Sequence, residues 1–237
     1  MTHLSRSLSA AVAGAVYASI AATASADLIA GWTITTAFPT GTGNVPTGTT
    51  YSVGAADQGV QTAGSQLSSV HALAAATYTS PAGNGSLYSF SSNNWSPGDY
   101  YEARLSTANY TNISLSWDQA RSSTGPASFA LEFSVNGGAT WTFVSSYTVL
   151  QSGGGGAPGT WSTTTANPIY SNTSLLTGAE NATELLIRFR STEAVVSASS
   201  GSNRIDNVMV NGTLIPTPGA VALLGVAGLI GGTRRRR

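Results

Sequence analysis

Five carboxylates in the central part of the chain could do chemistry: Asp99, Glu102, Asp118, Glu132 and Asp206. Glycoside hydrolysis needs two such acids about 5–9 Å apart, one to protonate the leaving group and one to attack or activate water. Glu132, however, falls on the outer side of its strand pattern, where an acid is ordinarily just solvated. The chain therefore reads as a non-enzyme, with no catalytic residue assigned. Asp99 beside Asn93 and Asn94, and Asp206 beside Asn203 and Asn207, are the candidates for holding a structural calcium ion through oxygen ligands. No EF-hand-like run supports them, and a salt bridge from Asp206 to a neighbouring Arg plus turn chemistry for the asparagines is the expected alternative. No other cofactor is expected. His71 is the only histidine beyond His3, too few for a histidine-based triad or a histidine-rich metal site, so a structural hydrogen bond is expected of it. Trp95 and Trp161 lie in loop contexts and are candidates for stacking on a sugar ring. Trp117 and Trp141 keep phase with apolar neighbours and are expected in the core.

These residues sit in a chain with very little charge. Charged residues make up 8% of the 237, against the ~25% usual for soluble domains. From Asp27 to Pro216 ten acids face five Arg, a net charge of −5, and the chain has no Lys. A body of that sign offers no cationic stripe for phosphates, so nucleic acid is excluded as a partner. The absence of Cys excludes disulfides, thiol catalysis and Cys-ligated metal.

The elements that would position the candidates are strands. Phe129, Leu131, Phe133 and Val135 alternate with Ser128, Ala130, Glu132 and Ser134, and Asn136-Gly137-Gly138 then supplies a hairpin turn. Trp141, Phe143, Tyr147 and Val149 continue on one face of the next strand. Further strands are expected at Tyr100 to Leu105, Tyr110 to Asp118, Leu185 to Arg190 and Arg204 to Val210, the last closed by an Asn211-Gly212 turn. Leu28 to Thr35 is expected to pair with Arg204 to Val210. Residues 36–79 are poorly periodic, 153–159 form a glycine-rich loop, and no useful helical period appears. The pattern predicts an all-β antiparallel β-sandwich or jelly roll over residues 27–212.

The two ends read differently. Residues 1–26 have a signal peptide's parts: Arg6, an apolar run from Leu8 to Ala22, and the small residues Ala24-Ser25-Ala26 before Asp27. Signal peptidase is expected to cut between Ala26 and Asp27. Residues 213–237 hold Pro216-Thr217-Pro218-Gly219, an apolar stretch from Ala220 to Gly232 that reads as a short hydrophobic helix, and Arg234, Arg235, Arg236 and Arg237. Thirteen helical residues rise about 20 Å, short of the ~30 Å hydrocarbon layer. Arginines at the far end place the tail in the cytoplasm and the body outside. The segment is expected to hold the membrane only transiently, before processing.

This tail resembles the PEP-CTERM type of bacterial sorting signal, departing from its commonest pattern by Thr217 where Glu is usual. The resemblance implies an exosortase-like enzyme that cuts at the Pro-x-Pro motif. The stretches Ser80-Pro81-Ala82-Gly83-Asn84-Gly85-Ser86, Gly98-Asp99-Tyr100-Tyr101 and Asn203-Arg204-Ile205-Asp206-Asn207-Val208 resemble jelly-roll domains of exported bacterial proteins with such tails. That likeness implies fold and location, and brings no catalytic residue. The expected function is non-enzymatic, at the cell surface or in the extracellular matrix, with exopolysaccharide or surface proteins as partners. The alternative is a carbohydrate-binding module with a sugar site on exposed aromatics.

Overall fold

A computed structural model describes residues 25–38, 45–155, 157–193 and 201–216. The strands, in chain order, are β1 (Ala26–Trp32), β2 (Tyr51–Gly54), β3 (Gln66–Val70), β4 (Tyr78–Thr79), β5 (Phe90–Asn93) and β6 (Tyr100–Leu105). They continue with β7 (Tyr110–Arg121), β8 (Ser128–Ser134), β9 (Thr142–Thr148), β10 (Ser171–Leu175), β11 (Leu185–Ser191) and β12 (Ser202–Leu214). A 3₁₀ turn, Pro168–Tyr170, precedes β10. Residues 1–24 of the expected signal peptide, Thr217, Pro218, Gly219, the apolar stretch of the tail and Arg234 to Arg237 lie outside the described residues.

The strands form two antiparallel six-stranded sheets, so the fold is the expected β-sandwich. One sheet runs β10-β7-β12-β5-β4, with β1 also paired to β12; the other runs β2-β3-β6-β11-β8-β9. Successive side chains of a strand point to opposite faces, so each sheet turns every second residue inward. Ile113, Leu115 and Trp117 of β7 and Ile205, Val208 and Val210 of β12 meet Tyr101, Leu131, Ile187 and Phe189 of the other sheet. Trp117 packs 5.2 Å from Phe189, and Phe90 5.1 Å from Tyr101, ring centroid to centroid. β1 pairs with β12 as expected, from Ala26 opposite Thr213 to Trp32 opposite Val208.

Two expectations fail for the same reason, an irregular register. β12 does not turn at Asn211-Gly212 but runs on to Leu214, with a register shift between Asn211 and Thr213. Gly212 is buried there, and a Cβ would lie 2.9 Å from both Ile29 Cδ1 and Ile113 Cδ1. Glycine is needed for close approach, not for a turn. In β9 the pairing with β8 shifts between Leu131 and Glu132. A one-residue bulge reverses which side chains face the core. Tyr147 still packs on Trp117 and Val149 is buried, but Phe143 is 62% exposed and Trp141 is only half-buried.

The contrast can be measured by denaturant unfolding. Phe189→Ala should cost about 3–5 kcal/mol, as for a buried ring replaced by a cavity. Phe143→Ser should stay within about 0.5 kcal/mol of wild type. A large loss at Phe143 would put that ring back in the core.

Candidate functional site

Among the described residues, the buried histidine and the buried acids other than Glu132 gather at two places. The first holds His71, just past the end of β3, and Asp99, just before β6. His71 Nδ1 lies 3.0 Å from Asp99 Oδ2, and His71 Nε2 lies 3.1 Å from Ser92 Oγ on β5. Ser, His and Asp in that order are the constellation of nucleophilic acyl transfer. The structural hydrogen bonding expected of His71 is there, and with Asp99 and Ser92 it takes the shape of a triad, which its count alone argued against. Access decides what the geometry can do. All three side chains are buried, the imidazole lies 4.6 Å from the Trp95 ring and edge-on to Tyr78, and Ser92 Oγ is also 3.5 Å from Tyr101 Oη. Ser92 is 1% exposed, although it is among the residues lining the open cleft described below. The group is a polar strut that ties β3, β5 and β6 through the core.

Both oxygens of Asp99, a candidate calcium ligand, are engaged by donors. Its Oδ1 accepts from Ala72 N at 2.8 Å, and its Oδ2 accepts from Ser96 N at 2.6 Å as well as facing His71. Asn93 and Asn94 turn elsewhere, to Thr77 N and Ala75 O.

The second place is the outer face of the β7–β12 pair. Asp118 and Asp206 are direct cross-strand partners, and loops cover both. Asn84, in the loop between β4 and β5, bridges them: its N–H donates to Asp206 Oδ2 at 2.8 Å and its Nδ2 to Asp118 Oδ2 at 2.9 Å. Ser86 Oγ donates to Asp206 Oδ2, Ser171 Oγ to Asp118 Oδ1, and Asn207 Nδ2 to Asp118 Oδ2 at 2.7 Å. Asn167 N donates to Asn84 Oδ1, which fastens the loop before β10 to the same point. Gly83 is required for this closeness, since a Cβ would fall on Ser86 Oγ and crowd Asp206 Oδ2. Burial pushes the Asp206 carboxyl up to about 7; the hydrogen bonds from Ser86 and Asn84 pull it down, and the Asp118 charge pushes it further up. The expected salt bridge of Asp206 to an Arg does not form. Arg204 instead donates to Ala82 O and to Ser152 Oγ, with its guanidinium 4.6 Å from the Trp161 ring centroid.

Beside this roof lies an open cleft of about 380 Å³, lined by Thr77, Thr79, Ser91, Ser122, Arg121 and Arg204 among others. Hydroxyls and guanidinium groups are hydrogen-bonding partners for a sugar, but no aromatic ring lines the cleft. Trp95 and Trp161, the candidates for sugar stacking, are 1% and 3% exposed. Trp95 Nε1 donates to Ser92 O, and its ring packs on His71, Tyr101 and Phe129. Trp161 is wedged between Arg204 and Tyr170. A loop position in the sequence does not tell whether the loop folds back over the sheet, and here both do. Trp141, expected in the core, instead stacks on the outer face of the other sheet. Arg188 is sandwiched there between the Trp141 and Tyr100 rings, 3.9 Å from each centroid. It pairs with Glu102 at 2.7 Å, and Arg190 pairs with Glu132 at 3.0 Å. Glu102 and Glu132 are thus committed to cross-strand ion pairs.

At the ends of the domain, Ala26 and Asp27, which flank the expected cut, are the first two residues of β1. Leu214, Ile215 and Pro216 are exposed at the other end. Among the described residues, no three His, Cys, Asp or Glu gather as a metal cluster, and no helix is long and apolar enough to cross a membrane.

No protein-family model matches this chain, and no curated protein does. Among solved structures it is similar to the K1 cleaved adhesin domain of Lys-gingipain from Porphyromonas gingivalis W83. That likeness has 15% identity and a TM-score of 0.38, over 58% of this chain and 83% of that one. The K2 cleaved adhesin domain of Lys-gingipain matches at 15% identity and TM-score 0.37, over 57% and 80%. The K3 domain, from the same organism, matches at 14% and 0.36, over 60% and 80%. These are partial likenesses and give no residue of this chain a role.

The buried strut makes its own test. Asp99→Ala leaves Ala72 N–H and Ser96 N–H without their acceptor at about 1–3 kcal/mol each, while His71 Nδ1 keeps Asn94 O, so the variant should lose at least about 2 kcal/mol of stability. Ser92 should resist labelling by a fluorophosphonate probe in the folded protein. Labelling of Ser92 would show that the constellation is open and reactive.

Proposed function

We propose that the chain is an exported, non-enzymatic protein of the cell surface or extracellular matrix, sorted through its PEP-CTERM-type tail by an exosortase-like enzyme. The observation that carries this reading is the β1–β12 pair. Ala26 sits opposite Thr213 and Asp27 opposite Gly212, so the leader and the tail attach at one corner of the sandwich. The strand ends two residues before Pro216, and Leu214 to Pro216, the last of which opens the motif, are exposed. Signal peptidase would act at Ala26–Asp27, beside the place where the tail departs. The burial of Ser92, His71 and Asp99, and the commitment of Glu102 and Glu132 to arginines, support a body that binds and does not cleave.

A second reading rests on the cleft at Arg121 and Arg204. Its hydroxyls and guanidinium groups suit a polar or acidic glycan held by hydrogen bonds, without the ring stacking expected of Trp95 and Trp161. Exopolysaccharide is the natural partner of such a surface; a surface protein is the other.

Cell fractionation with mass spectrometry of the mature protein tests the first reading. It predicts an N-terminus at Asp27 and a C-terminus within residues 216–219 on surface or extracellular protein. Mature protein ending at Arg237, or a tail-deleted chain reaching the same place at the same mass, would contradict it. Failure to bind any glycan on an array would discard the second reading alone.

A further inference from the structure

Asp118 and Asp206 face each other across two central strands of a sheet, and both are buried. Like charges directly opposite one another repel, and burial multiplies the cost. A carboxylate pair of this kind settles by keeping a proton or by holding a cation. Hydrogen bonds answer most of the oxygens: both of Asp118 and one of Asp206 accept from neutral donors. One atom is unanswered. Asp206 Oδ1 is fully buried and has no hydrogen-bond partner; the neighbouring Asn207 N–H favours the charge without making a bond of good geometry. A buried polar oxygen without a partner costs about 1–3 kcal/mol, and more if charged, so it marks a place where something belongs.

Beside the acid pair, Asn84 O and Asp118 Oδ2 lie together within hydrogen-bond reach of the Asn207 side chain. Asn207, held at a positive φ of 48° beside the register shift of β12, places its Nδ2 2.9 Å from Asn84 O and 2.7 Å from Asp118 Oδ2. Turning that amide by half a rotation offers Oδ1 in place of the donor, which leaves carboxylate, amide and main-chain oxygens and no nitrogen or sulfur ligand. We propose that Asp206, Asp118, Asn207 and the Asn84 carbonyl form a binding site for a single calcium ion. The oxygen-only set selects a hard cation. Dependence on main-chain and amide carbonyls favours calcium over magnesium, which keeps several of its waters and demands a tighter octahedron. The ion would lock the loop before β5 onto the β7–β12 pair, because Asn84 belongs to the loop and both acids to the sheet.

The test is calcium titration of the full chain stripped with EGTA, read by calorimetry and by thermal unfolding. The expected result is one ion per chain with a Kd of about 10⁻⁴ M or tighter, and a Tm raised by several degrees at 5 mM calcium and less by magnesium. Asp206→Asn should abolish the response, and Asn207→Ala should weaken it at least tenfold while leaving both acids in place. A stripped wild-type chain with neither heat nor Tm shift would overturn the proposal, and would mean that the pair keeps a proton. Undiminished binding in both variants would overturn it equally, by placing the ion elsewhere.

Discussion

The structure depends on what strand β12 does with its two faces. Inward, Ile205, Val208 and Val210 help close the core. Outward, Asp206 meets Asp118 of β7, and the polar roof is assembled over that pair. A chain with so few charges has placed two of its ten acids side by side and buried them. The surrounding residues follow from that constraint: Asn84 to bridge the acids, Ser86 and Ser171 to donate to them, Gly83 to let the loop descend, and Asn207 to bend the strand past them.

The same strand organises the rest of the sheet. β1 pairs along its second half and β5 along its first, so the N-terminal strand is fixed only once the C-terminal one is in place. Contacts between residues near 30 and residues near 210 are costly in loop-closure entropy, and they form late unless a hydrophobic nucleus draws them in. The opposite sheet contributes a different surface. Its outer face carries alternating Glu and Arg joined across strands, with Arg188 held between two aromatic rings. Charges tied up in this way make that face polar while leaving little net field to steer a partner.

Much of this was legible in the sequence. The period-two alternation of residues 100–105, 128–134 and 185–190 placed strands where they stand, and the Asn136-Gly137-Gly138 turn predicted the β8–β9 hairpin. The pairing of the first strand with the last was also readable. Alternation is blind to bulges, however, and one shift in β9 exposed Phe143 while another carried β12 through Gly212. Loop tryptophans were misplaced because burial under a folded-back loop depends on distant partners. Trp95 is covered by His71 and Phe129, and Trp161 by Arg204 and Tyr170. Asp206 was singled out, but its partner Asp118 lies in another strand, and Asn84, the residue that joins them, is 122 positions from Asp206. No local signal announces such a meeting. The Ser92–His71–Asp99 alignment escaped for a related reason: counting histidines says nothing about geometry.

The central claim is that the roof is fastened to the sheet through the buried acid pair. Amide hydrogen exchange resolved to single residues tests it most directly. If the account holds, the Asn84 N–H, donated to Asp206, and the Gly85 N–H, donated to Ser162 O, exchange as slowly as the amides of β7 and β12. Rapid exchange at Asn84 and Gly85, with β7 and β12 fully protected, would show a loop resting on the sheet without being held by it.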